Sequence, residues 1–392
     1  MDEKSIYFDH AATTPVAPEV KEEMDPYFDK YFGNPSSLYS LAMDSSRAVT
    51  RAREKVADFL GADNEREIIF TSGGTESDNL AVKGTAMALK DKGKHIITSE
   101  IEHHAVLHTC QYLEDNLDFE VTYLPVDDEG FVDPQDLKKA IRPDTVLITI
   151  MMANNEIGTI QPIAKLGQIA HSNDIIFHTD AVQSVAKVPV DVDDLNVDLL
   201  SLSAHKFNGP KGIGALYVRQ GTKLLPQMQG GAQEKKRRAG TENVPGIVGL
   251  RAALELNEKK ERQEDIQRII YLRDKIINKI EDNIDASILN GPRGDKRLPG
   301  NVNFCFRYIE GESMLLNLDM KGIAASSGSA CTSGSLEPSH VLLALGRSHE
   351  VAHGSLRVSL NHSNTEKEVD YFLEELPKIV DKLRDMSPLY EG

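Results

Sequence analysis

A chain of 392 residues, 40% hydrophobic and 27% charged, has room for two domains, or for one large domain with a satellite. With 61 acidic against 44 basic residues its formal charge is −17, which repels a phosphate backbone and argues against nucleic acid as a direct partner; the one dense basic cluster, EKKRR (234–238), reads as a solvated loop that attracts anionic groups locally. No apolar run reaches the roughly 20 residues that span a bilayer, and the opening MDEKSIYFDH lacks the basic-then-apolar pattern of an export signal, so a cytoplasmic location without a membrane partner is expected.

In chain order, REIIFTSGG (66–74) predicts a strand, TESDNLAVKGTAMALKDKG (75–93) a helix, and KHIITSEIEHH (94–104) a strand running into a loop. A helix over AVLHTCQYLEDN (105–116) precedes strands at FEVTYLPV (119–126) and TVLITIMM (145–152). The helix PIAKLGQIAHSND (162–174) leads to strands at IIFHTDA (175–181), DLLSLSA (198–204) and GIGALYVR (212–219). Such alternation predicts an α/β fold, a mostly parallel central sheet flanked by helices. Chemistry in such a sheet gathers beyond the carboxyl ends of the strands. From 251 to 283 a charged amphipathic stretch predicts one or two helices linking to a smaller α+β domain. That domain holds GNVNFCF (300–306), the small-residue segment ASSGSACTSGS (325–335), the strand GSLRVSL (354–360) and a terminal helix over about 366–385.

Three strand ends carry chemistry-bearing residues. In TSGGTESDN (71–79) two glycines precede a helix, with Thr75 as candidate cap and Asp78 three positions on. Free backbone N–H groups there suit a phosphate, although a plain capped helix start looks much the same. Asp180 closes an apolar strand in FHTDAVQS (177–184), where a carboxylate needs a cation or several donors. Ser203, His205 and Lys206 end the strand at 198–204 and open the next loop. Alone, Asp180 reads equally as half of a structural ion pair and Lys206 as a surface lysine. Together, an anion cradle, a buried acid and an amine at one sheet edge are what pyridoxal 5'-phosphate requires: a phosphate site, a partner for the ring nitrogen, and a lysine for the aldehyde.

With those residues in view, the sequence resembles the cysteine desulfurases of the NifS/IscS class, within the class V aminotransferase family of fold type I enzymes. The likeness runs from YFDHAATTPV (7–16) to RDMSPLY (384–390) through GNPSS (33–37), SGGTESDN (72–79), EHHAVL (102–107), NNEIGTIQP (154–162), HTDAVQS (178–184), SAHKFNGPKGIGALYVR (203–219), RRAGTENV (237–244) and SSGSACTSGSLEPSHVL (326–342). By this resemblance Lys206 bonds the cofactor aldehyde, Asp180 partners the ring nitrogen, Gln183 donates to the ring hydroxyl, and His103 stacks on the ring. Gly74, Thr75, Ser203 and His205 would hold the phosphate, and Thr241 would reach it from a partner subunit, implying a homodimer. Asn155 would contact cofactor and substrate, and Arg357 the carboxylate of L-cysteine, a two-pronged task suited to guanidinium. His104 matches no motif role and is expected to be structural.

The resemblance implies conversion of L-cysteine to L-alanine, with sulfur passed to an enzyme persulfide and then to an acceptor or iron–sulfur scaffold protein. Cys331 is the expected nucleophile, in a mobile loop at about 325–335, with His103 a candidate to activate its thiol. Cys110 and Cys305 are expected to be packed thiols; an odd, scattered set of three cysteines excludes a disulfide framework or a CxxC metal site and fits a reducing compartment. The expected division is a large cofactor-binding domain at 15–258 and a small domain of 1–14 and 259–392. LYSLAMDSSR (38–47) departs from the family pattern, which bears on loop packing and access near the site. The alternatives are a selenocysteine lyase or another pyridoxal-phosphate lyase or aminotransferase of the same fold, and a non-catalytic scaffold.

Overall fold

The computed structural model describes residues 5–327, 337–388 and 390. Its strands are β1 (Ile6–Tyr7), β2 (Ile68–Thr71), β3 (His95–Ser99), β4 (Glu120–Leu124), β5 (Thr145–Thr149), β6 (Ile176–Asp180), β7 (Leu199–Ser203), β8 (Gly214–Val218), β9 (Ser287–Leu289), β10 (Asn301–Phe306), β11 (Ile323–Ala324) and β12 (Ser355–Ser359). A seven-stranded sheet has the order β2-β8-β7-β6-β5-β3-β4. The pairs from β4 through β7 are parallel, while β8 is antiparallel to both β7 and β2. Strands β2 to β7 therefore share one direction, and their carboxyl ends form one edge.

The sequence explains this layering. β5, β7 and β8 (TVLIT, LLSLS, GALYV) are buried along their whole length, as strands covered by helices on both faces must be. β4 lies at the sheet margin and begins exposed. A second, antiparallel sheet has the order β12-β10-β9, and β1 pairs with β11 in parallel. Two main apolar cores result: one draws on residues from Ala17 to Leu256, the other on Ile6, Phe8 and residues from Ile269 to Val380. Ile6 and Phe8, near the chain start, pack into the second of these cores.

Local differences from the expected elements have simple causes. The helix expected at 75–93 spans Gly74–Leu89. The stretch at 251–283 is divided between two helices, Val244–Glu258 and Lys260–Asn283, broken where Lys259 leaves helical geometry (ψ 140°). The segment 38–47 enters the helix Ser40–Leu60, leaving Leu38, Tyr39, Leu41 and Met43 exposed. No helix among the described residues is long and apolar enough to cross a membrane.

The basic cluster at 234–238 is not simply a solvated loop. The Glu234 carboxylate is buried, accepting from Arg53 Nη1 at 2.6 Å, Arg53 Nη2 at 2.7 Å and the Phe70 N–H at 2.9 Å. Arg238 donates from Nε to Glu76 Oε1 at 2.9 Å. Glu234, Lys235 and Lys236 have φ of 42°, 57° and 66°, a left-handed run that non-glycine residues adopt only when their surroundings hold them. The Arg53–Glu234 fork supplies that hold and ties the segment carrying Thr241 to β2. Glu234→Ala leaves the half-buried Arg53 guanidinium with the Ile68 carbonyl and frees an edge N–H at Phe70, and is expected to destabilise the protein by about 2–3 kcal/mol in urea unfolding.

Candidate active site

A cavity of about 380 Å3 opens at the carboxyl edge of the sheet. Ten of the twelve residues expected in the site line it: Gly74, Thr75, His103, Asn155, Asp180, Gln183, Ser203, His205, Lys206 and Arg357. They arrive from the ends of β2, β3, β5, β6 and β7 and from β12 of the smaller sheet. Lys206 ends a short turn, Ala204–Lys206, directly after β7. Its Nζ donates to the carbonyls of Ala11 at 2.7 Å and Ala12 at 2.8 Å.

Negative charge is concentrated deeper in the pocket. Asp180 is the last residue of β6 and accepts the Val182 N–H at 2.8 Å. Burial raises its pKa, opposed by that bond and by Lys206. Asp78, on the helix Gly74–Leu89, also lines the cavity. Its carboxyl is pushed well up, by burial first and then by the charge of Asp180. His178 cannot compensate them. Burial holds it neutral, down to about 3, with Nδ1 paired to Thr149 Oγ1 at 2.8 Å and Nε2 to Ser201 Oγ at 3.0 Å. Among the described residues Asp78 Oδ1 is buried without a hydrogen-bond partner. Such a pair of acids suits a cationic ring.

An anion cradle faces them. The helix Gly74–Leu89 starts from Gly73, and no described side chain caps it. Thr75 is therefore its second residue, not its cap, and Asp78 points into the buried pocket instead of completing a capping box. Glu76 Oε2 takes the Ser72 N–H at 2.8 Å, one position before the helix. The first-turn N–H groups, which lack intrahelical acceptors, are left for a ligand. Space is tight: a Cβ on Gly74 would lie 2.6 Å from Val182 Cγ2, and Gly73 has φ 150°. His205, neutral because burial and Lys206 push it down to about 4, pairs Nδ1 with Thr13 Oγ1 at 3.0 Å. Cradle, amine and acids together fit pyridoxal phosphate.

His103 is the N-cap of the helix His104–Leu117, and its Nδ1 accepts the Ala105 N–H at 3.1 Å. Burial, then Lys206, lowers its pKa to about 4. The ring is thus neutral near pH 7, and the cap bond assigns its proton to Nε2. Toward the pocket it offers a donor, which runs against a role as base for the thiol. His104 stacks on His108 at 4.7 Å and leans on His340 at 4.8 Å.

Arg357, on β12, is buried. It donates from Nη2 to Asp9 Oδ1 at 2.7 Å and from Nη1 to the Asn155 carbonyl at 3.2 Å, while its Nε has no partner among the described residues. The two remaining expected residues lie elsewhere. Thr241 lines a separate hollow of about 100 Å3 with Arg238 and Gly240. Cys331 and most of the loop at 325–335 fall outside the described residues. The flanks of that loop do not: Ser326 exchanges backbone bonds with Arg357, at 2.5 and 3.2 Å, and Ser339 Oγ donates to Glu156 Oε2 at 2.5 Å. Cys110 and Cys305 are buried free thiols, both pushed up by burial, Cys305 to about 11.

Pocket residues that sequence reasoning did not single out are Asp78 as a site acid and the Ala11–Ala12 turn. An acid one turn into a helix, just before its apolar stretch LAV, and the small pair in DHAATT were the available signals.

The class-V aminotransferase family matches residues 6–372. A cysteine desulfurase IscS of Methanosarcina thermophila is 60% identical over 388 residues, 99% of this chain and 95% of that protein. A NifS-like protein of known structure superimposes with a TM-score of 0.90 at 39% identity, over 97% of this chain and all of that one. SspA, solved in complex with cysteine, does so at 0.81 and 43% identity, over 92% of this chain and 100% of that one. Near-complete coverage at these identities means that the chain belongs to the class-V aminotransferase family and, within it, to the cysteine desulfurases of the NifS/IscS class.

Proposed function

We propose that this pyridoxal-phosphate-dependent cysteine desulfurase works on L-cysteine in the pocket at the carboxyl edge of the sheet, with Lys206 bonding the cofactor aldehyde. The convergence of ten expected residues on one cavity carries the reading. Asp180 would hold the ring nitrogen, Gln183 the ring hydroxyl and His103 the ring face, with Gly74, Thr75, Ser203 and His205 around the phosphate. When bound, the cofactor supplies an electron sink for the substrate α-carbon.

The protein's own groups do the rest. Arg357 holds the substrate carboxylate, its Nη1 steadied by the Asn155 carbonyl and its Nε without a partner among the described residues. Lys206 Nζ, surrounded by the Ala11 and Ala12 carbonyls, takes the α-proton. Cys331 Sγ, as thiolate, attacks the substrate sulfur; its S–S bond forms as the substrate C–S bond breaks, and alanine leaves after the carbon is protonated. The persulfide then passes its outer sulfur to an acceptor or iron–sulfur scaffold protein. A homodimer is part of the proposal. Thr241 lines a separate hollow and not its own chain's pocket, in keeping with a phosphate contact made across an interface, and Phe28, Phe32, Leu38, Leu41 and Met43 leave a stretch of exposed apolar side chains near the N-terminus.

Four measurements test this. With L-cysteine and a reductant, the wild-type holoenzyme should release alanine and sulfide in equal amounts. Cys331→Ser should form no persulfide and lose alanine turnover, whereas persistent turnover would mark the lyase alternative. Asp180→Asn, which removes a charge pair worth about 4 kcal/mol at an intermediate dielectric, should lower the turnover rate by two to three orders of magnitude. Arg357→Ala, which removes a charge-assisted bidentate contact, should raise the KM for cysteine by roughly ten- to a hundredfold, with a smaller effect on kcat.

A further inference from the structure

Behind Lys206 lies a second, smaller cavity of about 40 Å3, bounded by Phe207 of the larger core and Ile269 of the second, with Lys187, His10 and His362 on its walls. Lys187 follows β6 and Gln183, and its Nζ donates to Gln183 Oε1 at 2.9 Å. On the other side of the same amide, Nε2 donates to the Ala11 carbonyl at 2.8 Å. Gln183 lines the main pocket, whereas Lys187 lines the cavity behind it.

A glutamine amide has an oxygen on one side and an NH2 group on the other, and the two flipped forms are nearly identical in shape. Packing therefore cannot choose between them; hydrogen bonding must. An ammonium has donors and no acceptor, so it tolerates only the oxygen. With Lys187 at Oε1 and the Ala11 carbonyl at Nε2, the amide is held from both sides, its NH2 group toward Ala11 and the pocket. We propose that Lys187 is a positioning residue that fixes the Gln183 amide with its donor side toward the cofactor. This rests on the cofactor reading above, in which Gln183 donates to the ring hydroxyl.

The alternative, that Lys187 is there to fill space, sits poorly with its chemistry. Burial, together with the nearby charges of Lys206 and Arg357, lowers its pKa to about 7. A methionine of similar length would occupy the same volume without that desolvation cost. The lysine is retained at a location where its charge is disfavoured, against one amide oxygen that gives the charge a use.

The test is a double-mutant cycle on cofactor binding. Apoprotein of wild type, Lys187→Met, Gln183→Ala and the double variant is reconstituted with pyridoxal phosphate. The dissociation constant is read by fluorescence, and the pH midpoint of the bound cofactor's visible band by absorbance. Lys187→Met should weaken binding about fivefold and move the midpoint upward, since a lost donor no longer stabilises the ionised ring hydroxyl. In the Gln183→Ala background the same change should move neither quantity. An equal shift in both backgrounds would show that the lysine acts by its own charge, and an unaltered Lys187→Met would leave it no role; either overturns the proposal. Circular dichroism controls for folding. If Lys187→Met and Lys187→Leu both fail to fold while Gln183→Ala folds, Lys187 is structural and the proposal falls. Failure of wild-type apoprotein to take up the cofactor would instead sink the reading on which the proposal rests.

Discussion

The constraint on which the site depends is that two carboxyl groups, Asp78 and Asp180, are buried at one sheet edge with little positive charge to meet them. Neighbouring His178 is committed to neutrality by Thr149 and Ser201. Lys206 is the cation that most directly opposes Asp180, and its amine is meanwhile steadied by two backbone carbonyls. A fold that keeps acids in such surroundings sacrifices stability there, and a cationic ring held near them would offset the sacrifice. The direction shared by β2 to β7 makes the arrangement possible. It brings a helix start, two strand-end side chains and a lysine turn to one place, as a sheet with alternating strand directions would not.

Much of this was legible in the sequence, for a reason that differs from residue to residue. Asp180 could be read because it closes an apolar strand where a carboxylate is costly, and Lys206 because it follows another strand end at the same sheet edge, where acid and amine gain meaning together. The central sheet was readable because β5, β7 and β8 are apolar throughout. The cap of the helix Gly74–Leu89 was misjudged because Thr75 has the right chemistry for a cap, while Gly73, with no side chain at all, takes that position. Spacing alone does not tell a capping acid from a buried one, so Asp78 was assigned to the wrong partner. The burial of Glu234 was hidden in the same way, because its partners Arg53 and Phe70 lie more than 160 residues away.

Protonation and orientation were less accessible still. That His103 presents a donor to the pocket follows from a single backbone N–H two residues on, and that Gln183 presents its amine follows from one ammonium behind it. Both are choices between forms of equal shape, decided by hydrogen bonds alone: one at His103, and two at Gln183, from Lys187 and to the Ala11 carbonyl. The smaller unit contributes through Arg357, whose guanidinium bridges Asp9 at the chain start and the Asn155 carbonyl of the larger unit. Three distant parts of the chain thus meet at the expected carboxylate clamp.

The fastening of Ser326 to Arg357 sets a leash for the nucleophile. Cys331 is five residues beyond Ser326, so at about 3.3 Å per residue its α-carbon stays within roughly 17 Å of that anchor, about half the sweep that a free eleven-residue segment suggests. On the proposed reading, capture of the substrate sulfur by Cys331 would resemble ring closure, the short tether raising the effective concentration of the thiol. The same tether would limit delivery: a recipient of the sulfur would have to bring its own reactive atom close to that radius.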